Sequence, residues 1–282
     1  MAKWMPYKRN GLQRALMLTL LLGWALAVRS ETLSSEAAPD AESSFPQRIL
    51  SLDLCMDWIL AYHVDRSRIA GLSPLHKRYP LPLKLNDWPA HDGSLEQIYQ
   101  LQPDLILVGE YNALLLRNRL QTLHLPVAVV SLPQSLEQIE DYERSILQLT
   151  GLPANLATPA PDEQLHDLPT PRLLLLGANG IGTGPGTFED QILRQAGWSN
   201  YLTDQGYVSL DLEQLVSDPP DALLWAAPDS PSLANRFAEH PALAGRIPEQ
   251  RWLMTDYWRW QCPGPWTWGL IEQLRQAREV WN

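Results

Sequence analysis

Only two cysteines occur in this chain of 282 residues, Cys55 and Cys262, and no set of His, Cys, Asp and Glu recurs at the spacing of a zinc site. A protein-bound structural or catalytic zinc is therefore not expected, and no His, Ser or Cys pattern marks a nucleophile triad. Positive charge is also scarce, with 22 basic against 32 acidic residues and a net charge of -10. Loss of residues 1–30 would remove five bases and no acid, leaving 17 against 32 and a charge of -15. Such a chain has no basis for binding nucleic acid, whose affinity comes chiefly from phosphate neutralisation. Beyond Val28 there is no apolar run of the ~20 residues that a membrane-spanning helix needs.

What is present begins with an export signal. Lys3, Lys8, Arg9 and Arg14 precede an apolar stretch from Ala15 to Val28, which ends in the small-x-small triplet Ala25-Leu26-Ala27. The pattern is that of a secretory signal peptide, expected to be cleaved near Ala27 to Ser30. No cysteine follows closely enough to carry a lipid. Residues 31–46, rich in Ser, Ala and acids, read as a flexible leader.

A fifteen-residue unit then occurs twice. LEQIYQLQPDLILVG at Leu95 to Gly109 and LEQLVSDPPDALLWA at Leu212 to Ala226 are offset by 117 residues without a gap. Six paired positions are identical and two more exchange Ile with Leu, so the match extends well beyond the common LEQ triplet. Ser94 and Asp211 precede the copies as helix caps, placing Glu96 and Glu213 in a first helical turn. Pro103 and Pro220 then disfavour helix, and the apolar runs that follow read as buried strands. Upstream, RILSLD at Arg48 and RLLLLG at Arg172 repeat as a further strand, each leading to a helix with Asp-x-Ile-Leu. The fold class expected is α/β, in two lobes of similar plan, each with a mainly parallel sheet flanked by helices. The boundaries are an N-terminal lobe at 47–133, a helical connector at 134–171 and a C-terminal lobe at 172–282, with a ligand cleft between the lobes. In the connector, Leu136, Ile139, Ile146 and Leu149 are spaced for one helical face.

Other motifs carry less. GANGIGTGPG at Gly177 to Gly186 resembles a dinucleotide loop, but Thr183, Pro185 and Thr187 separate its glycines from the helix expected near Phe188, and no Tyr-x-x-x-Lys is present. It reads better as a glycine-rich loop at the cleft edge. Six of the twelve tryptophans fall in the last 31 positions. Trp252 and Trp281 suit core packing, whereas Trp258 and Trp260 in YWRWQCPGPW suit a cleft that grips a bulky ligand. His76, Arg78, Tyr79, Trp88 and His91 lie in a proline-broken segment. There Tyr79 or His76 could reach the iron of a haem, and Arg78 a carboxylate or phosphate. In an exported chain, Cys55 and Cys262 invite a disulfide that links the lobes or ties the tail across; two free thiols are the alternative.

RILSLDLCMDWILAYHVDRSRIAGLS, GSLEQIYQLQPDLILVG, GPGTFEDQILRQAGWSNYL, VSLDLEQLVSDPPDALLW and the closing CPGPW resemble the periplasmic substrate-binding proteins of ABC importers for ferric siderophores, haem and vitamin B12. The resemblance runs from about Arg48 to the C-terminus. It implies a periplasmic, monomeric binder without catalysis or intrinsic cofactor, whose ligand is a metal complex and whose partner is an inner-membrane ABC permease. Glu96 and Glu213 match the family's two docking glutamates, and Tyr79 resembles the cleft tyrosine of vitamin B12 binders. Cleft candidates are Cys55, Arg78, Tyr79, His91, Tyr111, Thr183, Tyr207, Trp258 and Trp260. An iron complex, either ferric siderophore or haem, is the leading cargo and cobalamin the next. A chelatase-like enzyme of metal cofactors on a related fold is the competing class. The proline-broken stretch after Gly151 departs from the family's long connecting helix.

Overall fold

RILSLD opens the first lobe. In the computed structural model, which describes residues 45–78, 87–161, 170–226, 237–244, 246–255 and 257–279, it forms strand β1 (Ile49–Ser51). The expected signal peptide and nearly all of the leader lie outside the described residues, as do Tyr79 and Trp281. Asp53 ends β1 and caps helix α1 (Leu54–His63), its carboxylate accepting from the N-H groups of Cys55 and Met56. The chain continues through β2 (Ile69–Gly71), a single turn α2 (Leu75–Arg78), α3 (Leu95–Gln100), β3 (Leu105–Gly109), α4 (Leu114–Thr122) and β4 (Val127–Val130). These strands form a parallel sheet in the order β2-β1-β3-β4.

The connector contributes α5 (Gln138–Leu149), and the second lobe follows. It runs through β5 (Arg172–Leu176), β6 (Ile181–Thr183), α6 (Phe188–Gln195), β7 (Ser199–Asn200), β8 (Tyr207–Ser209), α7 (Leu212–Ser217) and β9 (Ala222–Trp225). It ends with α8 (Pro241–Ala244), β10 (Trp252–Met254), α9 (Tyr257–Gln261) and α10 (Trp266–Glu279). Its sheet has the order β10-β9-β5-β6-β8, with β7 also paired to β5; β6 runs antiparallel to both neighbours and the other pairs are parallel.

The sequence repeat is a repeat of register. Ile49 faces Leu105 and Ile106 faces Val127 in the first sheet. In the second, Leu173 faces Ala222 and Leu223 faces Trp252, where Ala222 and Leu223 lie 117 residues after Leu105 and Ile106. The repeated Pro-Asp also has one structural task in both lobes. Asp104 accepts the backbone N-H of Arg48 at 2.8 Å, and Asp221 that of Arg172 at 2.7 Å, pinning the start of the neighbouring strand. Each arginine then reaches the end of the repeated helix. Arg48 donates to the carbonyls of Leu101 and Gln102, and Arg172 donates to Asp218 at 2.9 Å and to the Pro219 carbonyl at 3.1 Å. Basic side chains are well placed there, since the last helical carbonyls lack intrahelical donors.

Helix α5 belongs to both cores. Leu136 and Ile139, just before and within its first turn, pack with Leu173, Ile192 and Trp198 of the second lobe. Tyr142 and Ile146 pack with Ile49, Met56 and Ile59 of the first. The face is therefore 136, 139, 142 and 146; Leu149, which the spacing assigned to it, is 38% exposed because the helix ends there. His63 Nε2 meets the buried Glu143 carboxylate at 2.5 Å, and Glu143 also accepts the Thr158 N-H at 2.7 Å, fastening α5 to α1.

The glycine-rich loop folds back rather than cradling a phosphate. Gly177 N-H donates to the Ile181 carbonyl at 2.8 Å and β6 returns along β5, so the chain reverses before Thr187 caps α6. Gly184 passes so close to the Asp204 carbonyl that a Cβ would lie 2.0 Å from its oxygen, which explains why that position has no side chain.

Beneath β1, Asp57 is fully buried and accepts from the Ser73 N-H at 3.0 Å and the Ser73 hydroxyl at 2.5 Å. Burial pushes its carboxyl well above the usual range, outweighing both hydrogen bonds. The folded chain thus holds this proton more tightly than the unfolded chain. The stability contributed is complete below the ordinary carboxylate range and is lost as pH rises through the raised value. Asp65, Asp92 and Asp218, whose pKa values are lowered, act only at lower pH. Asp57→Asn is therefore expected to gain less in thermal midpoint than the wild type as pH falls from neutral towards the ordinary carboxylate range, while His91, whose pKa burial lowers, opposes that gain in both proteins below about pH 6.5. Parallel pH profiles of the two proteins would contradict the assignment.

Candidate functional site

Loops of both lobes converge on one cleft of about 810 Å³. Ligands of open α/β sheets bind outside the carboxyl ends of the strands, and the first wall is built accordingly. Asp53, Leu54 and Cys55 follow β1, Asn112 follows β3, and Leu132, Pro133 and Gln134 follow β4. The opposite wall comes from Gly186 to Glu189 after β6, Gly206 and Tyr207 at β8, and Trp260 to Pro263 beyond β10. Where the walls meet, Cys55 and Cys262 are joined by a disulfide. Leu54, Trp58 and Trp266 pack around it, the two indoles edge to face with centroids 4.7 Å apart.

The polar groups on the two walls differ in how fully they are engaged. Asp53 is buried, and burial raises its pKa against the opposing bonds from the Cys55 and Met56 N-H groups and the Asn112 amide. Capping α1 occupies most of its acceptor capacity. Glu189, in the first turn of α6, is only 7% exposed, and burial again raises its pKa while its own backbone N-H and the Tyr207 hydroxyl pull it down. The Tyr207 hydroxyl lies 3.1 and 3.3 Å from the two carboxylate oxygens. A side cavity of about 200 Å³ adjoins it, sharing Glu189, Tyr207 and Trp260 with the cleft and extending to Gly177, Asn179 and Thr183. Trp260 borders both the cleft and the side cavity, and its Nε1-H is held by the Thr255 hydroxyl at 3.2 Å.

Among the residues expected from the sequence, Cys55, Tyr207 and Trp260 line the cleft, and Thr183 lines the side cavity. His91 requires correction. It is 3% exposed, with Nδ1 accepting from the Gly93 N-H and Nε2 facing the Ser51 carbonyl at 2.8 Å. Burial lowers its pKa, and both ring nitrogens are spent on backbone, so it acts as a core histidine away from the cleft. Tyr111 is 70% exposed and does not join the lining, although its neighbour Asn112 does. Tyr79 and the side chains of Arg78 and Trp258 lie outside the described residues. His76 is buried against the Ser73 carbonyl, and Trp88 packs on the first core. Asp53, Asn112, Gln134 and Glu189 were missed; for Asp53 and Asn112 the available signal was their position just past β1 and β3, strands of the repeat.

Glu96 and Glu213 occupy equivalent first turns of α3 and α7, which Ser94 and Asp211 cap, and both are exposed. Among the described residues no group of three His, Cys, Asp or Glu could hold a metal ion, and no helix is long and apolar enough to cross a membrane.

No protein-family model and no curated protein matches the chain. Solved structures do. One is described as a possible iron-binding (periplasmic solute-binding) protein from Staphylococcus epidermidis; it is 20% identical, with a TM-score of 0.65 over 83% of this chain and 98% of that one. A periplasmic haem-binding protein from Pseudomonas aeruginosa is 22% identical, with a TM-score of 0.61 over 82% and 92%. The periplasmic vitamin B12 binding protein BtuF of Vibrio cholerae is 17% identical, with a TM-score of 0.59 over 83% and 97%. Two mainly parallel sheets, flanked by helices and facing each other across a cleft, give this chain the fold of the two-lobed periplasmic solute-binding proteins.

Proposed function

We propose that the protein is a periplasmic solute-binding protein that captures a bulky metal complex, an iron complex or cobalamin, and delivers it to the permease of an ABC importer. The observation that carries this reading is the cleft of about 810 Å³ walled by both lobes, on a fold whose solved examples include binders of haem and vitamin B12. A cavity of this size falls in the range of small-molecule sites. The disulfide suits an oxidising compartment, in keeping with the export signal. Binding without turnover, rather than the chelatase alternative, is supported by solved structures of this fold that are described as binding proteins. Exposed, with carboxylates that have no hydrogen-bond partner among the described residues, Glu96 and Glu213 serve in this reading as contacts for basic residues of the permease.

The test is ligand binding by the mature protein. Haem, cyanocobalamin and a set of ferric siderophores are titrated while thermal midpoint and tryptophan fluorescence are followed. A ligand at ~100 times its dissociation constant adds about 2.7 kcal/mol of stability, and its approach to Trp260 quenches emission. Absence of any response across the set would reject the reading.

A further inference from the structure

We propose that Glu189, Tyr207 and the adjoining side cavity form a subsite for a hydrogen-bond-donating arm of the ligand, an amide, hydroxyl or ammonium group. The proposal rests on the cleft being the capture site for a metal complex, and it narrows the class of complex. An ionised carboxylate offers about four lone-pair positions. Glu189 receives the single Tyr207 hydroxyl, shared between its two oxygens. A buried carboxylate with so few donors is costly to keep. It is retained in the first turn of α6, where the helix N-terminus favours negative charge. It also borders both the main cleft and the side cavity, so that a ligand in the cleft can extend an arm into it.

The charge of the walls points the same way. Among the described residues lining cleft and side cavity, the charged side chains are Asp53 and Glu189, both acids and both more than nine-tenths buried. A polyanionic complex in the cleft would face the Glu189 carboxylate directly. The ligand that fits is neutral or cationic and rich in donors.

Equilibrium titration of the wild-type protein with four probes tests this. Cyanocobalamin is uncharged and carries primary amide arms; ferrioxamine B carries a free ammonium; ferric enterobactin and haemin are anionic. The expected result is that cyanocobalamin or ferrioxamine B binds at least about tenfold more tightly than either anionic probe, and that Glu189→Leu weakens that binding about tenfold or more. Glu189→Gln, which keeps an acceptor but not the charge, separates the two donors: ferrioxamine B loses about tenfold or more, whereas cyanocobalamin changes by less than about threefold. Tighter binding of an anionic probe, or unchanged affinity in Glu189→Leu, overturns the subsite and leaves the importer reading standing. Failure of all four probes to bind overturns both. The wild-type ranking does not depend on the variants being well folded.

Discussion

Replacing Glu96 and Glu213 together by arginine is expected to abolish uptake in cells that depend on this protein, while the purified variant keeps its affinity for the complex identified by titration. The expectation rests on what the other repeated side chains do. Asp104 and Asp221 are consumed in pinning Arg48 and Arg172, and Leu105 and Ala222 are sheet positions. The glutamates alone are repeated, charged and exposed, with carboxylates that have no hydrogen-bond partner among the described residues. An acid in a first helical turn stabilises its helix by roughly 0.3–1 kcal/mol, so the exchange is tolerable for folding. Against arginines of a permease it converts attraction into repulsion at two points, a loss far larger than the folding cost. Uptake that persists at the wild-type rate would reject the docking role. Loss of ligand affinity in the purified variant would show that the exchange acts through the cleft instead.

A second large effect is expected from Cys55→Ala with Cys262→Ala. The bond joins residues 207 positions apart. In the chain-entropy account, a loop of that length restricts the unfolded state by about 5 kcal/mol, and measured native disulfides contribute about 2–5 kcal/mol. Typical domains have only 5–15 kcal/mol in total, so the double variant should unfold at a clearly lower urea concentration. The native protein, unfolded without reductant, should show no reactive thiol. Superimposable urea curves would mean that packing of Leu54, Trp58 and Trp266 alone holds the walls together.

Much of the architecture was legible because the sheet repeats at the level of sequence. The caps Ser94 and Asp211, the Pro-Asp pairs and the apolar runs all predicted elements that the structure contains, down to matching register in both sheets. The return of β6 along β5 was not legible, since it depends on glycines passing backbone that lies about twenty residues away. The site was read less well. Cys55, Tyr207 and Trp260 were among the cleft candidates, whereas Glu189 was not singled out. Nothing local distinguishes a solvated first-turn acid from one enclosed by Tyr207 and Trp260, because the enclosing residues come from separate loops. His91 failed for the same reason in reverse: its partners, Ser51 and Gly93, are backbone groups that no side-chain motif announces.

Trp266 packs on the core of the first lobe, and Cys262 closes on Cys55. The N-terminal lobe therefore cannot be finished when its own residues have been made. It waits for the last twenty or so positions of the chain, and until they arrive Cys55 is an open thiol beside an incomplete core. Assembly is in this sense circular: the end of the chain completes the beginning, and a product truncated ahead of Cys262 spoils the lobe that it does not belong to.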